Sequence, residues 1–136
     1  MKATEQKVLR FIKENNLISE NDRVLIALSG GPDSVFLLHF FNKFKKKFKI
    51  ELGAVHINHL LRGKNSDRDE LFCKTICNEL EIPIYSLRAN VKLYAKRNKC
   101  SLEVAGRKIR YDYFEKILSS KKYNKLATAH NADDNA

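Results

Sequence analysis

The sequence predicts an α/β fold: a doubly wound parallel sheet of about four to five strands with helices on both faces. Three observations predict it. Short runs of branched apolar residues at 23–28, 50–58, 84–87 and 125–129 alternate with stretches of helical apolar period. The first run stops at Ser29-Gly30-Gly31, and helical spacing starts directly after Pro32. The polar clusters fall after the first, second and fourth runs, at one end of the strands.

Each element has its own warrant. Residues 4–15 carry Val8, Leu9, Phe11 and Ile12 among polar residues, which predicts a short amphipathic helix. Asn15-Asn16 ends it, and 19–22 is a polar connector to the first strand. Residues 33–45 form a helix whose Val35, Phe36, Leu37, Leu38, Phe40, Phe41 and Phe44 face the sheet. The basic run 43–49 is either a solvated helix end or a nucleic-acid contact. The second strand ends in His56-Ile57-Asn58-His59.

The polar stretch 61–69 contains Gly63 and is expected to be a loop. Ser66 is expected to cap the next helix, which has Asp69 and Glu70 in its first turn and runs to about Leu80. Cys73 and Cys77 lie one turn apart on it and suit small core residues, since no second pair accompanies them. Pro83 precedes the third strand, 91–98 is a small helix, and Ser101 caps a longer one over 102–119. After the fourth strand, His130 opens a helix that the sequence does not finish, which predicts a longer protein.

The stretch Ser29-Gly30-Gly31-Pro32-Asp33-Ser34 has the makings of an anion site. Two glycines let backbone N–H groups approach an anion without interference from Cβ. The helix opening at Pro32 adds its N-terminal donors and the positive end of its dipole. Ser29 and Ser34 add hydroxyls. Asp33 would repel a phosphate unless a cation lies between them, so it is a candidate Mg²⁺ ligand. The glycines are adjacent and no Lys follows, so this is not the Walker pattern. An ordinary strand–turn–helix connection is the alternative.

Ligands of an open parallel sheet bind outside the carboxyl ends of its strands. The glycine loop, the His56–His59 corner and His130 with Asp133 and Asp134 all land there, so one ATP-sized site is expected. His56 and Asn58 share a face of the second strand and suit phosphate, ribose or base; capping the strand is the alternative. Arg62 faces either phosphate or solvent. Glu103, Arg107 and Tyr111 follow at one-turn spacing, with Arg110 nearby. They are either a surface ion pair or a source of positive charge for an α-phosphate. His130, Asp133 and Asp134 either bind metal together with Asp33 or favour a helix dipole.

Composition bounds the rest. At 136 residues, 43% hydrophobic and 31% charged, the chain is one domain of ordinary globular make-up. No run approaches the roughly 20 apolar residues that span a bilayer. The N-terminus lacks an apolar signal core, so no export and a cytoplasmic location are expected. Three cysteines, Cys73, Cys77 and Cys100, fit a reducing compartment. The net charge of +10, from 26 Lys and Arg against 16 Asp and Glu, suits a nucleic-acid partner or a surface of solvated lysines.

Taken together, Ser-Gly-Gly-Pro-Asp-Ser, His-Ile-Asn-His-x-Leu-Arg, Glu-x-x-x-Arg-x-x-Arg-Tyr-x-x-Phe and Ala-Thr-Ala-His-x-x-Asp-Asp closely resemble the tRNA(Ile)-lysidine synthetase family of PP-loop ATP pyrophosphatases. The resemblance runs from about Arg23 to the end. It implies an ATP-dependent ligase that adenylates the wobble cytidine of isoleucine tRNA at its carbonyl. Lysine then displaces AMP to give lysidine. Ser29, Gly30, Gly31, Pro32, Asp33 and Ser34 would hold pyrophosphate, with His56 and Asn58 also at the nucleotide. Asp33 and Asp134 would bind Mg²⁺, Arg107 or Arg110 would act at the α-phosphate, and His130, Asp133 or Asp134 would meet lysine. The implied partners are isoleucine tRNA and L-lysine, with no membrane and a homodimer as one assembly open to it. Residues 1–136 would be the N-terminal catalytic domain, without the family's C-terminal tRNA-selecting domains.

Two departures stand out. Asn131 occupies a position where the family commonly has a second His, and the usual Glu-Thr continuation is missing. Two other functions remain open: a PP-loop tRNA-thiolating enzyme, and a nucleotide-binding domain without catalysis. Thiolating enzymes commonly use paired active-site cysteines, and the cysteines here fall on expected helices or a cap.

Overall fold

The computed structural model describes residues 3–61 and 63–129. Its elements in order are α1 (Ala3–Glu14), β1 (Arg23–Ala27), α2 (Pro32–Phe48), β2 (Glu51–Asn58), α3 (Lys64–Glu79), β3 (Ile84–Arg88), α4 (Val91–Arg97), α5 (Leu102–Ser120) and β4 (Lys125–Ala127). The four strands form one parallel sheet in the order β3-β2-β1-β4.

That order explains the two-sided packing. From β1 the chain steps outward to β2 and β3, then crosses back over the sheet to lay β4 on the other side of β1. Val24, Ile26, Leu28, Leu52 and Ala54 pack with the buried faces of α1, α2 and α3. Leu25, Val55 and Ile57 alternate to the opposite face, where Phe114 and Ile117 of α5 cover them. The sheet is therefore doubly wound. The crevice between β1 and β4 is its switch point, the place where such sheets bind ligands.

α2 is longer than its expected end at residue 45. Phe40 and Phe44 stack with centroids 4.9 Å apart, and Phe48 continues the row at 6.2 Å from Phe44. The lysines between them are good helix formers and sit at the favourable end of the dipole. The basic run thus forms the last two turns of α2 and its C-cap, Lys49. The start of α3 also differs from expectation. Gly63, at φ 55° and ψ −120°, is the residue before the helix, and Ser66 lies buried within the first turn instead of capping it. A glycine-only backbone conformation makes the entry, so no hydroxyl cap is needed. Ser101 does cap α5, accepting from Val104 N–H at 3.1 Å.

Each strand is entered through one non-glycine residue of left-handed φ: Asn21 (70°), Lys49 (58°), Glu81 (57°) and Lys122 (62°). These reversals all lie at the amino-terminal edge of the sheet. There, Asp22 accepts from Ser19 N–H at 2.8 Å and from the Asn124 amide at 2.9 Å, joining the starts of β1 and β4. Among the described residues, no helix is long and apolar enough to cross a membrane.

Candidate nucleotide site at the carboxyl edge

The loop after β1 is held by its own hydroxyls. Ser34 Oγ lies 3.0 Å from Ser29 Oγ, donates to the Gly31 carbonyl at 3.1 Å, and accepts from Ser29 N–H at 3.1 Å. Ser29 Oγ also accepts from Gly31 N–H at 3.2 Å. Ser34 is buried, so its hydroxyl shapes the loop from within, while Ser29 is exposed. Gly30 takes φ 96°, a region that L side chains rarely adopt. Gly31 precedes α2 without a side-chain cap, and Pro32 opens the helix. The helix N-terminus is therefore dressed by backbone alone, the arrangement that receives anions.

Asp33 is exposed in the first turn of α2, beside this loop. Among the described residues, no three His, Cys, Asp or Glu side chains cluster closely enough to hold a metal ion by themselves. Mg²⁺ commonly takes one or two carboxylates and completes its shell with water and phosphate oxygens. A single exposed acid at the uncapped N-terminus of a helix fits that mode of shared binding. Asp134, its expected companion, lies outside the described residues, as do His130, Asp133 and Arg62.

The corner after β2 is occupied by structural bonds. His56 is 4% exposed, and its Nδ1 donates to the Leu28 carbonyl at 2.7 Å, immediately before the glycine loop. A carbonyl only accepts, so this bond fixes the proton on Nδ1. His56 Nε2 is buried with no partner among the described residues. Asn58, expected at the nucleotide, is instead spent on the protein. Its Nδ2 donates to Asp67 at 2.9 Å and Glu70 at 3.0 Å, and its Oδ1 accepts from Leu60 N–H at 2.9 Å. Asn58 thus ties α3 to β2 and holds Leu60 at φ 58°. The reason is burial: at 2% exposure an amide must find partners in the fold.

Glu70 is the hub of that corner. It accepts from Lys74 Nζ at 2.8 Å, from Asn58 and from Arg88 Nε at 2.9 Å. These donors, with the Lys74 ammonium foremost, hold its carboxyl down at about 2 against the opposing effect of burial. Burial pushes the Cys73 thiol up to about 12 and the Cys77 thiol to about 11, so both stay protonated in the core.

Two residues had no individual role in the sequence reading. Asp69 of α3 lies against the glycine loop: a β-carbon on Gly30 would stand 3.3 Å from Asp69 Cβ. Its sequence signal was a place at the end of the polar stretch 61–69 and in the first turn expected for the helix that follows. His59 packs beside Gly106 of α5, with Cε1 3.8 Å from where a β-carbon there would lie. Burial, then the charges of Arg110 and His56, push its imidazole below the ordinary histidine range. Arg110 therefore lies near the β2 corner, while the exposed Arg107 guanidinium sits over the Tyr111 ring at 5.7 Å.

The sequence pattern of the PP-loop domain family matches residues 1–136. The chain belongs to the PP-loop domain family. PP-loop relatives include the tRNA(Ile)-lysidine synthase of Clostridium acetobutylicum, 46% identical over 129 residues that make up 95% of this chain and 28% of that protein. The tRNA(Ile)-lysidine synthase of Petrotoga mobilis is 42% identical over 130 residues, 96% of this chain and 42% of the relative. The chain thus spans well under half the length of these curated relatives. Among solved structures, the U34-tRNA thiolase NcsA from Methanococcus maripaludis is similar with a TM-score of 0.77 and 25% identity. That match covers 96% of this chain and 46% of the thiolase chain.

Proposed function

We propose that this PP-loop chain is the N-terminal catalytic domain of an ATP-dependent ligase that joins lysine to the wobble cytidine of isoleucine tRNA. The observation that carries the reading is the 46% identity to a tRNA(Ile)-lysidine synthase along 95% of the chain. The loop and helix geometry at the switch point supplies a chemical rationale.

In this reading, the backbone of Ser29–Ser34 and the N-terminus of α2 receive the β- and γ-phosphates of ATP. Asp33, with Asp134, would hold Mg²⁺, which supplies charge neutralisation at the phosphates when bound. The cytidine carbonyl oxygen bonds to the α-phosphorus as the α–β bridge breaks and pyrophosphate leaves. Arg107 or Arg110 balances negative charge gathering at that phosphorus. An amine of lysine then bonds to the carbonyl carbon, AMP departs with the oxygen, and the amine loses a proton. His130, Asp133 and Asp134 would orient lysine. His56 and Asn58 act as positioning residues, fixing the loop and the β2 corner.

Incubation of the full-length protein with isoleucine tRNA, ATP and radiolabelled lysine tests this. Label in the tRNA, with AMP and pyrophosphate released, is expected. Absence of lysine together with uptake of sulfur would replace it by tRNA thiolation, the reading favoured by the likeness to the thiolase fold. The core positions of Cys73 and Cys77 weigh against that alternative.

A further inference from the structure

The segment between Glu81 and Glu103 contains five basic residues, Arg88, Lys92, Lys96, Arg97 and Lys99, and no acidic residue. Arg88 is engaged by Glu70 and Asp67. The other four are exposed on α4 and the turn after it. α4 buries Val91 and Ala95 against Ala105 of α5. Lys92 and Lys96, one turn apart, and Leu93 and Arg97, likewise one turn apart, therefore form its outward face. Leu93 is 41% exposed, and Leu102 and Val104 in the first turn of α5 are 48% and 56% exposed.

This basic and apolar shelf adjoins the candidate site. Ala89 N–H donates to the Asn58 carbonyl at 2.9 Å, and Val91 N–H to the His59 carbonyl at 3.5 Å, so α4 starts on the corner that closes β2. Another dense group of lysines closes α2, one 17-residue helix away from the glycine loop. At 1.5 Å per residue that is about 25 Å. Lysines there also meet acids: Lys43 pairs with Glu5 and Lys49 with Glu20.

We infer that the outer face of α4, with the first turn of α5, is a docking shelf for an RNA stem–loop whose unpaired bases enter the strand-end site. Lys92, Lys96 and Arg97 neutralise backbone phosphates, while Leu93, Leu102 and Val104 give apolar ground for splayed bases and sugars. α4 and the turn after it carry four basic residues and no acidic one, against the single Glu103 in the first turn of α5, and that excess of positive charge favours a polyanion. The choice of loop, though not of RNA, rests on the function proposed above.

The test uses the full chain and a fluorescent RNA stem–loop with a CAU loop. Lys92→Glu/Lys96→Glu/Arg97→Glu should weaken binding roughly 10- to 100-fold and flatten the slope of log K against log salt by about 2. ATP binding and the thermal midpoint should stay unchanged. Lys45→Glu/Lys46→Glu/Lys47→Glu at the far end of α2 should bind RNA nearly as the parent does. Should charge reversal unfold the protein, Lys92→Gln/Lys96→Gln/Arg97→Gln should still give a weaker complex and a lower slope. The inference falls if the parent binds no RNA, if the α4 variants bind normally, or if the α2 variant loses as much. It also falls if the α4 variants change only oligomeric state in light scattering, which marks a protein interface. Selective loss of RNA binding in a protein that never incorporates lysine leaves the shelf standing and removes the lysine reading. Normal modification by the α4 variants does the reverse.

Discussion

His56 Nδ1 donates to the carbonyl oxygen of Leu28 across 2.7 Å, coupling the end of β2 to the residue before the glycine loop. Cys73 Sγ stands 3.8 Å from the same oxygen. Replacing His56 with Leu keeps the bulk and removes the strong donor. With only the weak Cys73 thiol left as donor, the buried carbonyl is under-satisfied, at a cost of about 1–3 kcal/mol. His56→Leu should lower stability by that amount in urea denaturation and weaken ATP binding in calorimetry. Unchanged values for both would show that the bond does not brace the loop.

The two loop glycines should behave differently. Ala at Gly30 must adopt φ 96° and crowd Asp69, whereas Gly31 already has an ordinary φ of −76°. Left-handed backbone costs an L residue about 1–2 kcal/mol. Gly30→Ala should lose tenfold or more in nucleotide affinity, and Gly31→Ala less. Equal losses would mean that conformation at Gly30 does not set the loop.

Acid should attack the β2 corner. The Glu70 carboxyl is held at about 2 in the folded chain, below its ordinary 4.5. Its contribution is therefore complete above about pH 4.5 and fades as pH falls toward 2. Glu70→Gln should lower stability near neutrality and flatten the pH dependence between 5 and 2, read from urea midpoints. An identical acid limb in parent and variant would exclude Glu70 as a main proton acceptor.

Gly53 and Gly106 make an instructive pair. A β-carbon on Gly53 would collide with the ring of the buried Tyr123, whose hydroxyl lies 3.1 Å from that of Tyr85. On Gly106 a β-carbon would meet His59 and Val91 only at 3.8–4.0 Å, ordinary contact distances. Gly53→Ala should destabilise by about 1–3 kcal/mol. Gly106→Ala, in a helix interior, should stabilise by roughly 0.5–1 kcal/mol. Differential scanning calorimetry of both variants decides the matter, and equal signs would contradict the packing described.

Much of the fold was legible because its signals are local. Branched runs marked the strands, and Ser101 announced α5. The glycine loop was legible for the same reason, since its hydroxyls, glycines and helix start are contiguous. What escaped was long-range. Nothing in 125–127 says that β4 joins β1 rather than β3, yet that placement creates the switch point. Asn58 looked like a ligand contact because its partners, Asp67 and Glu70, lie on a helix whose docking the sequence does not display. Ser66 lost its expected cap role to Gly63 because a preference for hydroxyls says little where glycine can turn the chain.

The left-handed residues that lead into the strands have a practical consequence. Lys49, Glu81 and Lys122 each accept a conformation that glycine takes freely, and all three stand at the edge away from the glycine loop. Glycine there should return roughly 0.5–1 kcal/mol per position, net of its greater freedom when unfolded. Thermal midpoints of Lys49→Gly, Glu81→Gly and Lys122→Gly should rise with nucleotide affinity unaltered. Robustness can thus be engineered at one end of the molecule while its chemistry is left alone at the other.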